Sequence, residues 1–306
     1  MHIATKTLEA INAALINDQG AKYRGLLRHA MPLAEDAYSE DEGGPRTHLG
    51  ASLIGRECAR ELWYSFRWVT AKKFDGRMLR LFNRGHLEEP RFVALLQMIG
   101  CTVYQFDENG KQFRITGHNG HFGGSLDSVI VGCPDYPVAI LGEYKTHGDK
   151  SFQKLKSDGV MVAKWEHFIQ MTEYMGKNNL PAALYMAVNK NDDEIHAEII
   201  QFDQRQYDKY LDRSVMIIDS WTPPPKINQS AAWFGCKFCD HSSVCHGKAL
   251  PVRTCRSCMY SRPIENAEWV CCHPIPDAAF GDNIPLTKED QLAACELYEM
   301  IPEIKS

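Results

Sequence analysis

Across residues 102–201 the apolar period switches from helical to alternating and back, and this constrains the fold more than any other feature. TVYQFD and QFRITG, either side of Glu108-Asn109-Gly110-Lys111, predict a hairpin. SLDSVIVG and VAILGEYKT predict two further strands, separated by the turn-rich CPDYP. Residues 162–178 return to helical spacing, and ALYMAVN and EIHAEIIQF predict a strand pair around Lys190-Asn191-Asp192-Asp193. Residues 203–221 read as helix until TPPPK breaks the pattern. Upstream, residues 4–33 carry Leu8, Ile11 and Leu15 at helical spacing, and further helices are expected near 56–67 and 77–98. The latter should kink or break at Pro90 and stop at Gly100. Strands, a helix and more strands within one domain imply the α/β (α+β) class, with a central mixed β-sheet flanked by helices.

Chemistry concentrates on two of these strands. Glu143 and Lys145 are two apart, so both side chains leave one face of the sheet. Asp127 is expected on the preceding strand, close enough to pair beside them. Two carboxylates and a lysine at a strand end suit phosphodiester hydrolysis. The carboxylates hold Mg²⁺ or Mn²⁺ through oxygen, the ion polarises the phosphate and acidifies a water, and the ammonium neutralises developing charge. An isolated E-x-K is more often a surface ion pair, and a second copy, Glu303-Ile304-Lys305, reads as a solvated terminus. Two companions strengthen the first copy. Arg84-Gly85-His86-Leu87-Glu88-Glu89 lies in a predicted helix, where His86 and Glu89 share a face and either can be an additional metal ligand. His167, Gln170 and Tyr174 share one face of the helix after the E-x-K strand, where Gln170 can bond the attacking water or the DNA backbone and Tyr174 can brace it.

In order, G-x-x-x-E, D, E-x-K and Q-x-x-x-Y resemble the RecB-like branch of the PD-(D/E)XK nucleases over residues 50–245. The resemblance implies a restriction-endonuclease-like core, metal ligands at Asp127 and Glu143, a catalytic Lys145, and Gln170 and Tyr174 as the motif typical of the branch. Many relatives carry histidine where Glu89 falls, which leaves both His86 and Glu89 open as the further ligand. It also implies an exonuclease working from single-stranded or duplex DNA ends in recombination, DNA degradation or DNA processing.

The chain has eleven cysteines, an odd count that fits metal ligation better than a disulfide framework. Cys58 stands far upstream of Cys236-x2-Cys239-x5-Cys245, an arrangement similar to the iron–sulfur staple of CRISPR-associated RecB-like exonucleases. Four thiolates suit a 4Fe–4S cluster, and they also satisfy tetrahedral Zn²⁺. Cys255-x2-Cys258-x12-Cys271-Cys272-His273 has zinc-like spacing. The expected ligands are Cys255, Cys258, Cys271 and His273, with Cys272 or His246 open as a replacement. Arg253, Arg256 and Arg262 lie nearby, so this module could hold DNA or a partner, or merely cap the core. Cys101, Cys133 and Cys295 stand apart and read as small core residues.

The expected organisation is a helical segment with an acidic linker (1–50), the nuclease core (51–250), a zinc-binding module (251–280), and a C-terminal helix and tail (281–306). The formal net charge of −5 argues weakly against a coat that binds DNA by bulk electrostatics, and not against an enzyme gripping a short strand in a local groove. MHIATKTLEAINAALINDQG contains no apolar signal core, and no apolar run approaches bilayer length, so a cytoplasmic protein without a membrane partner is expected. The alternative function is a catalytically silent nucleic-acid-binding module that keeps the fold and metal sites.

Overall fold

A computed structural model describes residues 1–32, 44–71, 73–274 and 283–305. The expected acidic linker falls largely outside them. The chain forms two compact units interleaved in sequence. One draws on Met1–Gly43, Phe74–Ile115 and Gly124–Asp208, the other on Gly44–Lys73, Thr116–Gly123 and Lys209–Ser306.

The first unit carries α1 (Thr5–Asp18), α2 (Ala21–Ala30), α3 (Gly76–Met98) and α4 (Trp165–Asn178). Its sheet comprises β1 (Thr102–Tyr104), β2 (Ser128–Val131), β3 (Ile140–His147), β4 (Ala182–Asn189) and β5 (Ile195–Gln201), side by side in that order. Only β3 and β4 are parallel, and the α4 crossover joins them. The sheet is therefore mixed and flanked by helices. Alternation divides its residues between two faces. Ile140 and Tyr144 on β3, Leu184 and Met186 on β4, and Ala197 and Ile199 on β5 join Ile11 of α1 and Phe92, Val93 and Leu96 of α3 in one core. The intervening residues of β3 and β4, among them Glu143, Lys145 and Tyr185, point to the opposite face.

Several local expectations change in the folded chain. Residues 4–33 are two helices, because Gln19 (φ 53°) and Gly20 (φ 76°) are left-handed and end the first. Helix α3 continues through Pro90, which is buried and has no N–H to offer the carbonyl of His86 one turn earlier. Gly100, at φ 97°, does end the turn that follows α3. The hairpin around Asn109-Gly110 forms no strand pair beyond the Phe106–Gln112 bridge and a turn in which the Asp107 amide donates to the Lys111 carbonyl, and β1 pairs instead with β2.

The second unit contains the helix Ala59–Phe66 and an antiparallel sheet of β6 (Ser261–Pro263), β7 (Trp269–Cys271) and β8 (Ile284–Leu286). Its centre is cationic and aromatic. The Arg256 guanidinium lies 3.8 Å from the Trp68 ring centroid and 4.4 Å from that of Trp269, and it donates to the carbonyls of Thr47 and Phe66. Buried there, Arg256 holds the fold of this unit together. The terminal E-x-K is also packed. Ile304 is fully buried, and Lys305 donates to the carbonyls of Val244, Gly247 and Ala249. The expected C-terminal helix is short, Lys288–Ala293, followed by a single 3-10 turn, Pro302–Lys305.

Candidate active site

Asp127, Glu143 and Lys145 meet in the first unit. Asp127 lies in the two-residue link before β2, not on a strand, and the reason is visible in the ladder. The β2–β3 register reaches Ser128–Gly142, and beyond it the Asp127 side chain takes over, its Oδ2 accepting the Tyr144 amide at 2.7 Å. The Lys145 ammonium contacts Glu143 Oε1 and lies 3.9 Å from Asp127 Oδ2. Glu143 is fully buried, and its Oε2 has no hydrogen-bond partner among the described residues. Burial pushes the pKa values of both carboxylates up, most strongly for Asp127, where Glu143 adds repulsion. At Lys145 burial opposes the charged form, but Glu143 and Asp127 outweigh it and hold its pKa above the ordinary lysine value. An orphaned carboxylate oxygen beside a second carboxylate is a donor set a hard divalent cation fits.

Lys145 also reaches an open cleft of about 370 Å³ lined by Phe82, Gly85, His86, Glu88, Glu89 and Thr146, among others. Glu89 faces the two carboxylates closely enough to raise both their pKa values. His86 Nδ1 is 3.6 Å from Glu89 Oε1, and this contact raises the histidine's pKa. The structure thus brings both open candidates to one cleft wall.

On α4, Tyr174 is buried, and its hydroxyl lies 3.4 Å from the donating amide nitrogen of Gln170. Gly124 makes room for it, since a Cβ built there would stand 2.5 Å from the Tyr174 hydroxyl. His167 does not join the carboxylates. Its Nδ1 bonds the Tyr185 hydroxyl at 3.0 Å, and His147 Nε2 bonds the same hydroxyl at 2.9 Å. Burial, then repulsion from nearby lysines, pushes His147 down to about 3; burial, then Lys145, pushes His167 down to about 2. Sequence reading missed this cluster. His147 was legible, two residues past Lys145 on the same strand face, but Tyr185 depended on the β3–β4 register that sets it opposite Glu143.

Both cysteine groups lie in the second unit. Cys58, Cys236, Cys239 and Cys245 line one small cavity, with His246 on its wall. Cys58 also caps the helix Ala59–Phe66, its sulfur accepting the Glu61 amide at 3.4 Å. Cys255, Cys258, Cys271 and His273 line another cavity, joined by Cys295. Cys272 is not on that wall; its thiol points to Asn283 Oδ1 at 3.1 Å. Cys101 and Cys133 are buried as expected, but Cys295 is exposed. Among the described residues, no three or more His, Cys, Asp or Glu side chains are already gathered as a metal cage.

No protein-family profile matches the chain, and neither does any curated protein. Among solved structures it is similar to LHK-Exo in complex with dAMP, with TM-score 0.40, 14% identity, and coverage of 56% of this chain and 86% of that one. The alkaline exonuclease LHK-Exo from Laribacter hongkongensis gives the same values. SSO0001 has TM-score 0.39 and 16% identity, covering 76% of this chain and 99% of its own. Among the described residues, no helix is long and apolar enough to cross a membrane.

Proposed function

We propose that the chain is a metal-dependent deoxyribonuclease that hydrolyses phosphodiester bonds by attack of an activated water. One observation carries the reading: a fully buried carboxylate with an orphaned oxygen and a second, half-buried carboxylate converge with a lysine at the edge of an open cleft. In this reading Asp127 and Glu143 hold Mg²⁺ or Mn²⁺, with Glu89 or His86 completing the set. The bound ion would polarise the phosphate and acidify a water. Lys145 places a fixed positive charge where charge develops in the transition state. Gln170, braced by Tyr174, orients the water or the DNA backbone. Attack from a DNA end, and hence exonuclease action, is part of the proposal.

The same proposal gives Cys58, Cys236, Cys239 and Cys245 a structural 4Fe–4S cluster and the second cysteine group a Zn²⁺ ion. Four cysteines lining one cavity supply the donors either metal needs. The first cavity, about 20 Å³, admits a single ion as it stands. A four-iron cluster is brown and a zinc site colourless, so the colour of the purified protein decides between them.

The test is digestion of end-labelled linear and circular DNA with Mg²⁺ or Mn²⁺, by the wild type and Lys145→Ala. Metal-dependent loss of linear DNA, absent in the variant and sparing circles, is the expected result. Absence of cleavage by metal-replete wild type would replace the nuclease with a silent binding module. Equal cleavage by both proteins would refute the site.

A further inference from the structure

We propose that the exposed first half of α3 is a stacking platform that holds the bases of an unpaired DNA strand beside the cleft, with Phe82 as its central ring. This rests on the nuclease reading of the cleft, and it narrows the substrate to a strand with unpaired bases at the site.

Helix α3 has two halves. From Pro90 onward it packs into the core, whereas every residue from Gly76 to Leu87 is exposed or half-buried. The exposed half nonetheless carries large apolar side chains. Leu79 is 55% exposed and Phe82 40%, and Phe74, just before the helix, is 48% exposed. The Phe74 and Phe82 rings meet edge to face, with centroids 4.9 Å apart. A single apolar residue on a surface needs no explanation, but a ring pair and a leucine gathered within residues 74–82 mark an interaction site.

Phe82 is also a wall of the cleft, together with Gly85, Glu89 and Lys145. Phe82, Gly85 and Glu89 are spaced by three and four residues, so they follow one stripe of the helix. Along that stripe Phe82 stands about 10 Å from Glu89. A strand with a phosphate at the carboxylates therefore passes its neighbouring nucleotides over the Phe82 ring. Gly85 leaves the backbone bare between them. Glycine is unfavourable inside a helix, and packing does not require it here, since nothing lies within 4 Å of where a Cβ would stand.

The charge of the segment fits a nucleic acid. Residues 76–87 include Arg77, Arg80 and Arg84 and no Asp or Glu, in a chain whose formal net charge is −5. Arg84 reaches the cleft rim, where it donates to the Lys190 carbonyl at 3.0 Å, and Lys190 lines the cleft itself. The acids at either end are engaged: Asp75 caps the helix, Glu88 pairs with Arg91, and Glu89 faces His86. Rings beside a cationic track bind single strands without sequence preference, because every base offers a π face and every phosphate a charge. Paired bases keep their faces inside the duplex and present only their groove edges, so a duplex gains from the charge but not from the rings.

The experiment measures, by fluorescence anisotropy, binding of a labelled single strand and of the blunt duplex of the same sequence. The protein is the full chain carrying Lys145→Ala, so that neither probe is cut. This parent should bind the single strand more tightly than the duplex. Adding Phe82→Ala should weaken single-strand binding about tenfold, the worth of one stacked base, and leave duplex binding unchanged. Phe82→Trp should keep the affinity. Phe82→Leu should lose it, because leucine keeps the apolar surface without the ring. Equal single-strand binding by the parent and Phe82→Ala would overturn the platform, as would equal weakening of both probes. Full binding by Phe82→Leu would also overturn it and assign the patch to an apolar partner. Binding is read without cleavage, so failure of the nuclease reading would show instead in digestion by the wild type, with these affinities unchanged.

Discussion

Glu173 makes a sharp test of the first unit because it is buried without compensation. It lies on α4 beside Tyr174, is fully inaccessible, and neither carboxylate oxygen has a hydrogen-bond partner among the described residues. Burial pushes its pKa up to about 8, with Lys177 partly opposing and Asp208 adding to the rise. At pH 7 the folded chain therefore holds a proton that the unfolded chain, near its ordinary value, has released. Stability from this group is complete below about pH 4.5 and is lost as pH rises toward 8. Glu173→Gln keeps the shape and removes the titration, and it leaves the amide as poorly bonded as the protonated acid it replaces. At about 1.4 kcal/mol per pKa unit, the variant should gain about 1 kcal/mol at pH 5.5, 3 at pH 7 and 4 at pH 8. Urea unfolding of both proteins at those three pH values measures the difference. A gain independent of pH, or one that shrinks as pH rises, would refute the reasoning.

The two histidines on the Tyr185 hydroxyl act in the opposite direction. His147 and His167 stay neutral when folded but protonate near pH 6.5 when unfolded, so their stability is present above that value and lost as pH falls toward 3. His167→Asn, which keeps an acceptor near Tyr185, should flatten the acid limb by about 1.4 kcal/mol per pH unit, read from urea midpoints between pH 6 and 4.5. An unchanged slope would mean that His167 is charged in the fold. Gly124→Ala should cost about 1–3 kcal/mol by forcing a methyl onto the Tyr174 hydroxyl, and adding Tyr174→Phe should recover part of it. No thermal shift in Gly124→Ala would show that α4 yields freely there. Cys58→Ser retains a cap for the helix Ala59–Phe66, so under the proposed cluster its expected effect is loss of brown colour and iron with the helix intact; full iron content in the variant would remove Cys58 from the proposed ligands.

The sequence determined what depends on near neighbours. Two-residue alternation put Glu143 and Lys145 on one face, because successive strand side chains point to opposite faces whatever packs around them. Helical spacing put Gln170 and Tyr174 together, and C-x2-C loops bring paired thiols close for the same local reason. Tertiary structure decided what depends on register and on distant segments. Asp127 joins the site because its side chain replaces the ladder where β2 and β3 cease to pair. Tyr185 stands opposite Glu143 only through a parallel pairing across the α4 crossover. The sequence left the place of Arg256 open, and the aromatic rings and carbonyls around it decided it; Cys295 looked solitary until Met300 paired with Cys258. Local spacing records the direction a side chain leaves the backbone. Which groups then meet is set by the registers and backbone pairings that bring distant segments together.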